Sequence, residues 1–178
     1  MQIEGERSIE IAASPEAVWG LVADVTRMGQ WSPHTVRAQW VEGSGAEGSG
    51  AEVSGVQGSG VERRGADGPA VGRRFRGTNR LPIVRQWTSI ATVTACEPGR
   101  RFAFAVGRDA ADPNTVWSYD FEPVSGERTR VTERWEMLRE PGIVLAYYRL
   151  IGQPGRLARG VEETLRRLKA AAEGTTAA

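Results

Sequence analysis

What most limits how this chain can fold is the order of its periodicities. Segments that alternate every two residues fill its middle, and one long stretch of helical period comes last. The helical stretch carries Leu157, Val161, Leu165, Leu168 and Ala172 as a single apolar stripe. Before it, alternating segments at 71–80, 84–96, 101–106, 115–122 and 129–138 are parted by Leu81-Pro82, Glu97-Pro98-Gly99, Asp112-Pro113-Asn114 and Ser125-Gly126-Glu127. Those breaks carry turn chemistry, and strands joined by short turns form an antiparallel meander. An antiparallel sheet has two faces, and here one amphipathic helix arrives to cover one of them. A curved sheet gripping such a helix does not close fully on it, so a cavity is expected between them.

The start of the chain supplies the remaining elements. Residues 7–12 alternate as a short strand. Ser14-Pro15-Glu16 then offers an N-cap, a proline at the first helical position and an early acid. Val18, Leu21, Val22 and Val25 follow at helical spacing, and Asp24 can cap a second short helix ending at Gly29. Residues 35–41 read as another strand. Toward the end, Glu162 with Arg166 and Glu163 with Arg167 are i,i+4 pairs on the polar side of the last helix. Pro154 and Gly155 part that helix from the apolar stretch 143–151, which holds Tyr147 and Tyr148 and reads as a first helical segment kinked or broken at the proline. Residues 1–173 form one domain, and the tail 174–178 is expected to be disordered.

One segment breaks this rhythm. From Glu42 to Gly68 the chain repeats a five-residue unit of the type Glu-Gly-Ser-Gly-Ala and holds nine of the 22 glycines. Ordering such a backbone costs about 1–2 kcal/mol per residue, with little apolar surface to bury in return. It reads as a flexible low-complexity insertion between two strands, against the alternative of a lid or tether for a partner.

Composition excludes several functions. The formal net charge is +1, so nothing global draws the chain to nucleic acid or anionic lipid. All but one of the 23 basic residues are arginine, which reads as the codon bias of a GC-rich genome. One cysteine, Cys96, forms no internal disulfide, and with one histidine, His34, it cannot build a typical zinc site. No metal and no cofactor is expected. The N-terminus shows no signal core and no stretch is apolar enough for a membrane span, which predicts a cytoplasmic protein without an integral membrane segment. Monomer and dimer both stay open.

The run Ser14-Pro15-Glu16-Ala17-Val18-Trp19, followed by Met28-Gly29-Gln30-Trp31-Ser32-Pro33, resembles the START-like (SRPBCC) superfamily, and within it the polyketide cyclase/dehydrase type. Further pieces match: Gly72-Arg73-Arg74-Phe75-Arg76-Gly77, Thr92-Val93-Thr94-Ala95-Cys96-Glu97-Pro98-Gly99-Arg100, Trp117-Ser118-Tyr119-Asp120-Phe121-Glu122-Pro123 and Thr129-Arg130-Val131-Thr132-Glu133-Arg134-Trp135-Glu136. The resemblance implies an α+β helix-grip fold of the START/Bet v 1 kind: about 6–7 antiparallel strands around the long C-terminal helix, with two short helices after the first strand. It is far less specific for function, because the superfamily includes lipid carriers, ring cyclases, receptors and chaperone co-factors.

Alternation places the aromatic residues as pocket candidates. Trp117, Tyr119 and Phe121 share one face of their strand, and Val131, Glu133, Trp135 and Met137 share one face of the last. Phe102, Phe104 and Val106 form a third set, and Phe75 belongs to a fourth. Such residues either line a cavity or fill a core; six tryptophans around one helix favour a cavity. The expected ligand-binding set is Trp31, Phe75, Asn79, Trp87, Phe104, Trp117, Tyr119, Glu133, Trp135, Met137, Tyr147 and Ile151. Glu133 stands out, because a carboxylate on an apolar face must find a partner or be desolvated at a cost of several kcal/mol. It reads as a polar anchor or general acid/base, or else as one half of an internal ion pair with Arg76 or Arg80. His34 and Tyr119 are the other catalytic candidates. Ser32 as a nucleophile toward His34 is disfavoured by Pro33 between them and by the lack of a nucleophile elbow. Arg80, beside Asn79, is a further polar candidate, and Arg73, Arg74 and Arg76 read as a solvated outer face.

Three functions follow. The first is binding of an apolar small molecule, a lipid or an aromatic or polyketide-like metabolite, as carrier or sensor. The second is a polyketide cyclase or aromatase, a lyase of the cyclase/dehydratase type, which needs a positioned base and an oxyanion donor. The third is a protein-interaction module of the chaperone-cofactor or ribosome-associated kind.

Overall fold

The computed structural model describes residues 3–42, 68–81, 84–108, 110–138 and 153–176. Most of the glycine repeat, the stretch 143–151 and the candidates Tyr147 and Ile151 lie outside the described residues. Seven strands form one antiparallel sheet: β1 (Ile3–Ile11), β2 (Thr35–Trp40), β3 (Arg74–Leu81), β4 (Val84–Glu97), β5 (Arg101–Val106), β6 (Thr115–Pro123) and β7 (Thr129–Met137). Their order is β1-β7-β6-β5-β4-β3-β2. The meander from β2 to β7 is thus continuous, and β1 returns to pair with β7, so the first two strands of the chain form the two edges. Two short helices span the gap between those edges: α1 (Pro15–Ala23) and a 3₁₀ helix (Val25–Gln30). The long helix α2 (Gln153–Thr176) packs on β1, β7 and α1. This is the expected helix-grip architecture.

The local signals explain the elements. The Ser14 hydroxyl accepts from the Ala17 amide at 3.3 Å with Pro15 in the first turn, and Asp24 accepts from the Thr26 amide at 3.2 Å to start the 3₁₀ helix. Gly99 takes φ 68° in the β4–β5 turn, where a side chain would be strained. Pro154 falls in the first described turn of α2, and the stretch before it, read as a helical segment kinked or broken at this proline, lies outside the described residues.

Some boundaries differ from the sequence reading. β1 begins at Ile3, four residues before the predicted start, because Gly5 interrupts the alternation there while still pairing with Trp135 on β7. β3 begins at Arg74, since Gly72 takes φ 83° in the preceding turn. Helix α2 continues through Gly174 to Thr176, past the point where fraying was expected. Of the two i,i+4 pairs, only Glu163 with Arg167 forms, at 2.6 Å. Glu162 instead holds Arg7 of β1 at 2.7 Å, fastening the helix to the edge of the sheet. Arg166 turns to Glu163.

The core lies between the concave face and the helices. Val161, Leu165, Leu168 and Ala172 of α2 are buried, as are Ile11, Phe102, Phe121 and Val131 of the sheet. The outer face is laced by ion pairs, Arg134 with Glu6 and Asp120, and Arg130 with Glu10 and Glu122. Such exposed pairs contribute little each. Arg74, Arg76 and Arg80 are exposed, as a solvated face requires, while Arg73 stacks on the Trp40 ring at 4.5 Å.

Candidate functional site

Cross-strand register decides which side chains meet on the concave face. Phe75 lies opposite Ala91, Gly77 opposite Ser89, and Asn79 opposite Trp87. Phe104 lies opposite Trp117, and Val106 opposite Thr115. Tyr119 lies opposite Glu133, Trp117 opposite Trp135, and Thr115 opposite Met137. Toward the meander's far edge the small residues Gly77, Ser89 and Ala91 leave room that α2 does not fill. The result is a cavity of about 280 Å³.

Its walls bring together most of the predicted set: Phe75, Asn79, Trp87, Phe104, Trp117, Tyr119, Glu133 and Met137, with His34. Trp87 is 41% exposed and stands at the rim. Trp31 and Trp135 are buried but do not line the cavity. Trp31 lies under the Arg27 guanidinium, 5.6 Å away, and its neighbours Met28 and Ser32 face the space instead. Trp135 turns over Gly5 and against Trp117, their ring centroids 6.5 Å apart. The helix contributes Leu157, Gly160, Val161 and Thr164. These recur at i, i+3, i+4 and i+7, one helical face: Leu157 and Val161 belong to the apolar stripe read from the sequence, while Gly160 and Thr164 beside them were not singled out. Gly77, Ser89, Ala91 and Thr115 were also missed; their inward alternation was legible, but small side chains signal a cavity only once the walls around them are known.

The polar groups of the cavity are mostly satisfied. Asn79 accepts from the Thr35 hydroxyl at 2.9 Å and donates to the Ser89 oxygen at 2.9 Å. The Thr164 hydroxyl donates to the Gly160 carbonyl at 3.0 Å. The Ser32 oxygen accepts from the amides of His34 (3.3 Å) and Thr35 (3.0 Å), a turn-holding role and not that of a nucleophile. His34 packs its imidazole against Gly160, and burial lowers its pKa, so it is neutral at pH 7.

Glu133 is different. It is 2% exposed. Its Oε1 accepts from the Tyr119 hydroxyl at 2.7 Å, and its Oε2 is buried without a hydrogen-bond partner among the described residues. The ion pair with Arg76 or Arg80 does not form, because both arginines stand exposed. The cation nearest in register is Arg7, directly opposite Glu133 on β1, and its guanidinium is held by Glu162. Burial therefore dominates, outweighing the Tyr119 hydrogen bond, and pushes the Glu133 carboxyl up to about 8. Burial, with the adjacent Glu133, likewise raises the Tyr119 phenol well above its usual value. At neutral pH the pair is a protonated carboxyl beside a neutral phenol, on a residue that lines the cavity and keeps one carboxyl oxygen buried and unpartnered among the described residues.

Other groups offer less. Cys96 donates to the Pro69 carbonyl at 3.4 Å, and burial raises its thiol, which makes it a weak nucleophile. Among the described residues no cluster of three His, Cys, Asp or Glu is placed to hold a metal ion, and no helix is long and apolar enough to cross a membrane.

The sequence matches the family model described as polyketide cyclase/dehydrase and lipid transport over residues 2–173, and the chain belongs to that family. No curated protein matches it. Among solved structures it is similar to the Polyketide_cyc-like protein Cgl2372 from Corynebacterium glutamicum, with 29% identity over 97% of this chain and 93% of that one, at a TM-score of 0.57. It shares its fold with the Zhui aromatase/cyclase from Streptomyces sp. R1128, at 16% identity, 97% and 94% coverage and a TM-score of 0.62. The protein of unknown function SA2116 from Staphylococcus aureus superposes over 100% of this chain and 98% of its own, at 10% identity and a TM-score of 0.66.

Proposed function

We propose that this member of the polyketide cyclase/dehydrase and lipid transport family binds an apolar small molecule in the cavity between sheet and C-terminal helix, as a carrier or sensor. The observation that carries this reading is the cavity itself, about 280 Å³ walled by Phe75, Phe104, Trp117, Met137, Leu157 and Val161. That volume is near the lower end of the roughly 300–1,000 Å³ typical of ligand sites, which suits a compact ring system better than a long extended chain. Its lining surface is mostly apolar, with polar groups such as Asn79, Ser89, Thr164 and the Tyr119–Glu133 pair set among it, a pattern that fixes a ligand by shape and orients it by hydrogen bonds.

A second reading, a cyclase or dehydratase acting on a polyketide-like substrate, is favoured by the buried Tyr119–Glu133 pair, because a carboxyl titrating near 8 is suited to proton transfer near neutral pH. Among the described residues of the cavity, the other titratable group is His34, and its imidazole packs on Gly160.

The binding reading is tested by titrating the full chain with the neutral fluorophore N-phenyl-1-naphthylamine. One saturable site with blue-shifted emission and a ligand-dependent rise in Tm is expected. Linear, unsaturable fluorescence with no thermal shift would overturn it.

A further inference from the structure

The cavity carries a chemical selectivity. Among the described residues that line it there is no arginine and no lysine, so an anionic ligand meets no counter-charge from them. Its single carboxyl group, Glu133, is buried, with one oxygen occupied by the Tyr119 hydroxyl at 2.7 Å and the other without a partner among the described residues. The remaining polar side chains near it are already bonded: Thr164 to the helix backbone, Asn79 to Thr35 and Ser89. Oε2 of Glu133 is thus the one fully buried side-chain polar atom of the lining left without a hydrogen-bond partner among the described residues.

We infer that the cavity selects neutral aromatic ligands bearing a ketone, quinone or phenol oxygen, which accepts a hydrogen bond from the Oε2–H of protonated Glu133, and rejects aromatic and fatty carboxylates. This rests on the binding reading above and adds the ligand's polar chemistry to it. A ketone oxygen placed at Oε2 satisfies the orphaned group and leaves the rest of the ligand against Trp117 and Phe104. A ligand carboxylate at the same place meets a carboxyl group, no cation and a dry wall, so it must either take up a proton or remain unpaired.

Binding to Glu133 then depends on pH. The charged and titratable groups facing Glu133 are Tyr119 from β6, Arg7 from β1 and, through Arg7, Glu162 of α2, with His34 across the cavity. Arg7 is tied to Glu162, and Tyr119 and His34 are neutral at pH 7, so none of them neutralises a Glu133 carboxylate. As pH rises through about 8, Glu133 loses the proton it donates. Affinity for a ketone falls with it.

The experiment is displacement of N-phenyl-1-naphthylamine by three probes of one skeleton: 2-methylnaphthalene, 2-acetylnaphthalene and 2-naphthoate. At pH 6.5 the ketone is expected to bind severalfold tighter than the hydrocarbon and at least about tenfold tighter than the carboxylate. Its affinity declines between pH 7 and 9, while that of the hydrocarbon stays level. Glu133→Gln keeps an N–H donor, so it retains ketone binding but loses the pH dependence. Glu133→Leu levels ketone and hydrocarbon. If 2-naphthoate displaces the fluorophore as well as the ketone does, or ketone affinity is flat across that pH range, the inference is wrong although the binding reading stands. Both wild-type comparisons decide the matter even where a variant does not fold. If the fluorophore itself never binds, it is the binding reading that falls.

Discussion

The hydroxyl of Tyr119 donates to Oε1 of Glu133 across 2.7 Å, and the two residues face each other on adjacent strands of the buried concave face. The hydrogen bond favours the carboxylate, yet burial favours the acid, and burial prevails because Arg7, the cation opposite in register, is spent on Glu162.

A pH dependence of stability follows. The folded Glu133 carboxyl titrates near 8, and unfolded glutamic acid near 4.3. Between those values the folded protein binds more protons than the unfolded chain, so stability falls as pH rises. The contribution is complete below about 4.3 and lost through about 8. Its ceiling is about 5 kcal/mol at 1.36 kcal/mol per pH unit, and a few kcal/mol is the expected size. Urea unfolding of wild type and Glu133→Gln from pH 5 to 9 should show the wild type losing stability relative to the variant. Parallel curves would mean that Glu133 titrates normally.

Gly5 holds the other end of β1 to β7. A Cβ there would stand 2.4 Å from the Trp135 ring, a buried side chain with little freedom to move. Gly5→Ala is expected to destabilise by roughly 1–3 kcal/mol despite the better strand propensity of alanine. Pairing it with Trp135→Phe should recover part of that loss, because the smaller ring frees the space. Equal denaturation midpoints for wild type and Gly5→Ala would show that Trp135 does not sit over this glycine.

The sequence made the fold legible because its signals are periodic and local. The Ser14-Pro15 start, the Glu97-Pro98-Gly99 turn and the Leu157-to-Ala172 stripe each act over a few residues. Glu133 was legible for the same reason, as a carboxylate between Val131 and Trp135. What could not be read was partnership across the chain. Nothing local tells Arg7 to choose Glu162 over Glu133, since both lie more than a hundred residues away and the choice depends on how α2 lies on β1. Nor does alternation separate Trp117, which lines the cavity, from its cross-strand neighbour Trp135, which turns aside over a glycine. The small residues that leave the cavity open carry no signal of their own.

Gly160 and His34 form a second close pair. An alanine Cβ at position 160 would lie 2.6 Å from Nε2 of His34, so the helix accepts a glycine in its interior at a cost of about 1 kcal/mol relative to alanine. In a His34→Ala background, Gly160→Ala should stabilise by about 0.5–1 kcal/mol. In the wild type it should give less or destabilise, and the difference between backgrounds measures the contact. His34 is the only histidine, so its imidazole resonances report directly. Displacing it toward solvent in Gly160→Ala should raise its pKa toward the ordinary value, as burial is what lowers it. Additive stabilities and an unmoved titration would place the imidazole elsewhere.

Gly77 allows the cavity to be filled without strain. The nearest atoms a Cβ there would meet are Ser89 Oγ at 3.4 Å, Asn79 Oδ1 at 3.7 Å and Thr35 Cγ2 at 3.8 Å, ordinary contacts all. Because Gly77 lines the cavity, the remainder of a leucine side chain would project into the space now open to a ligand. Gly77→Leu gains strand propensity and apolar contact, so its Tm is expected within a few degrees of wild type or above it. Its affinity for N-phenyl-1-naphthylamine should drop by at least about tenfold, since overlap with even one ring removes most of the contact a small apolar ligand makes. A folded Gly77→Leu that binds the fluorophore as tightly as wild type would put the binding site outside this cavity. A folded variant that loses it ties binding to the one space that Phe75, Trp117 and Glu133 share.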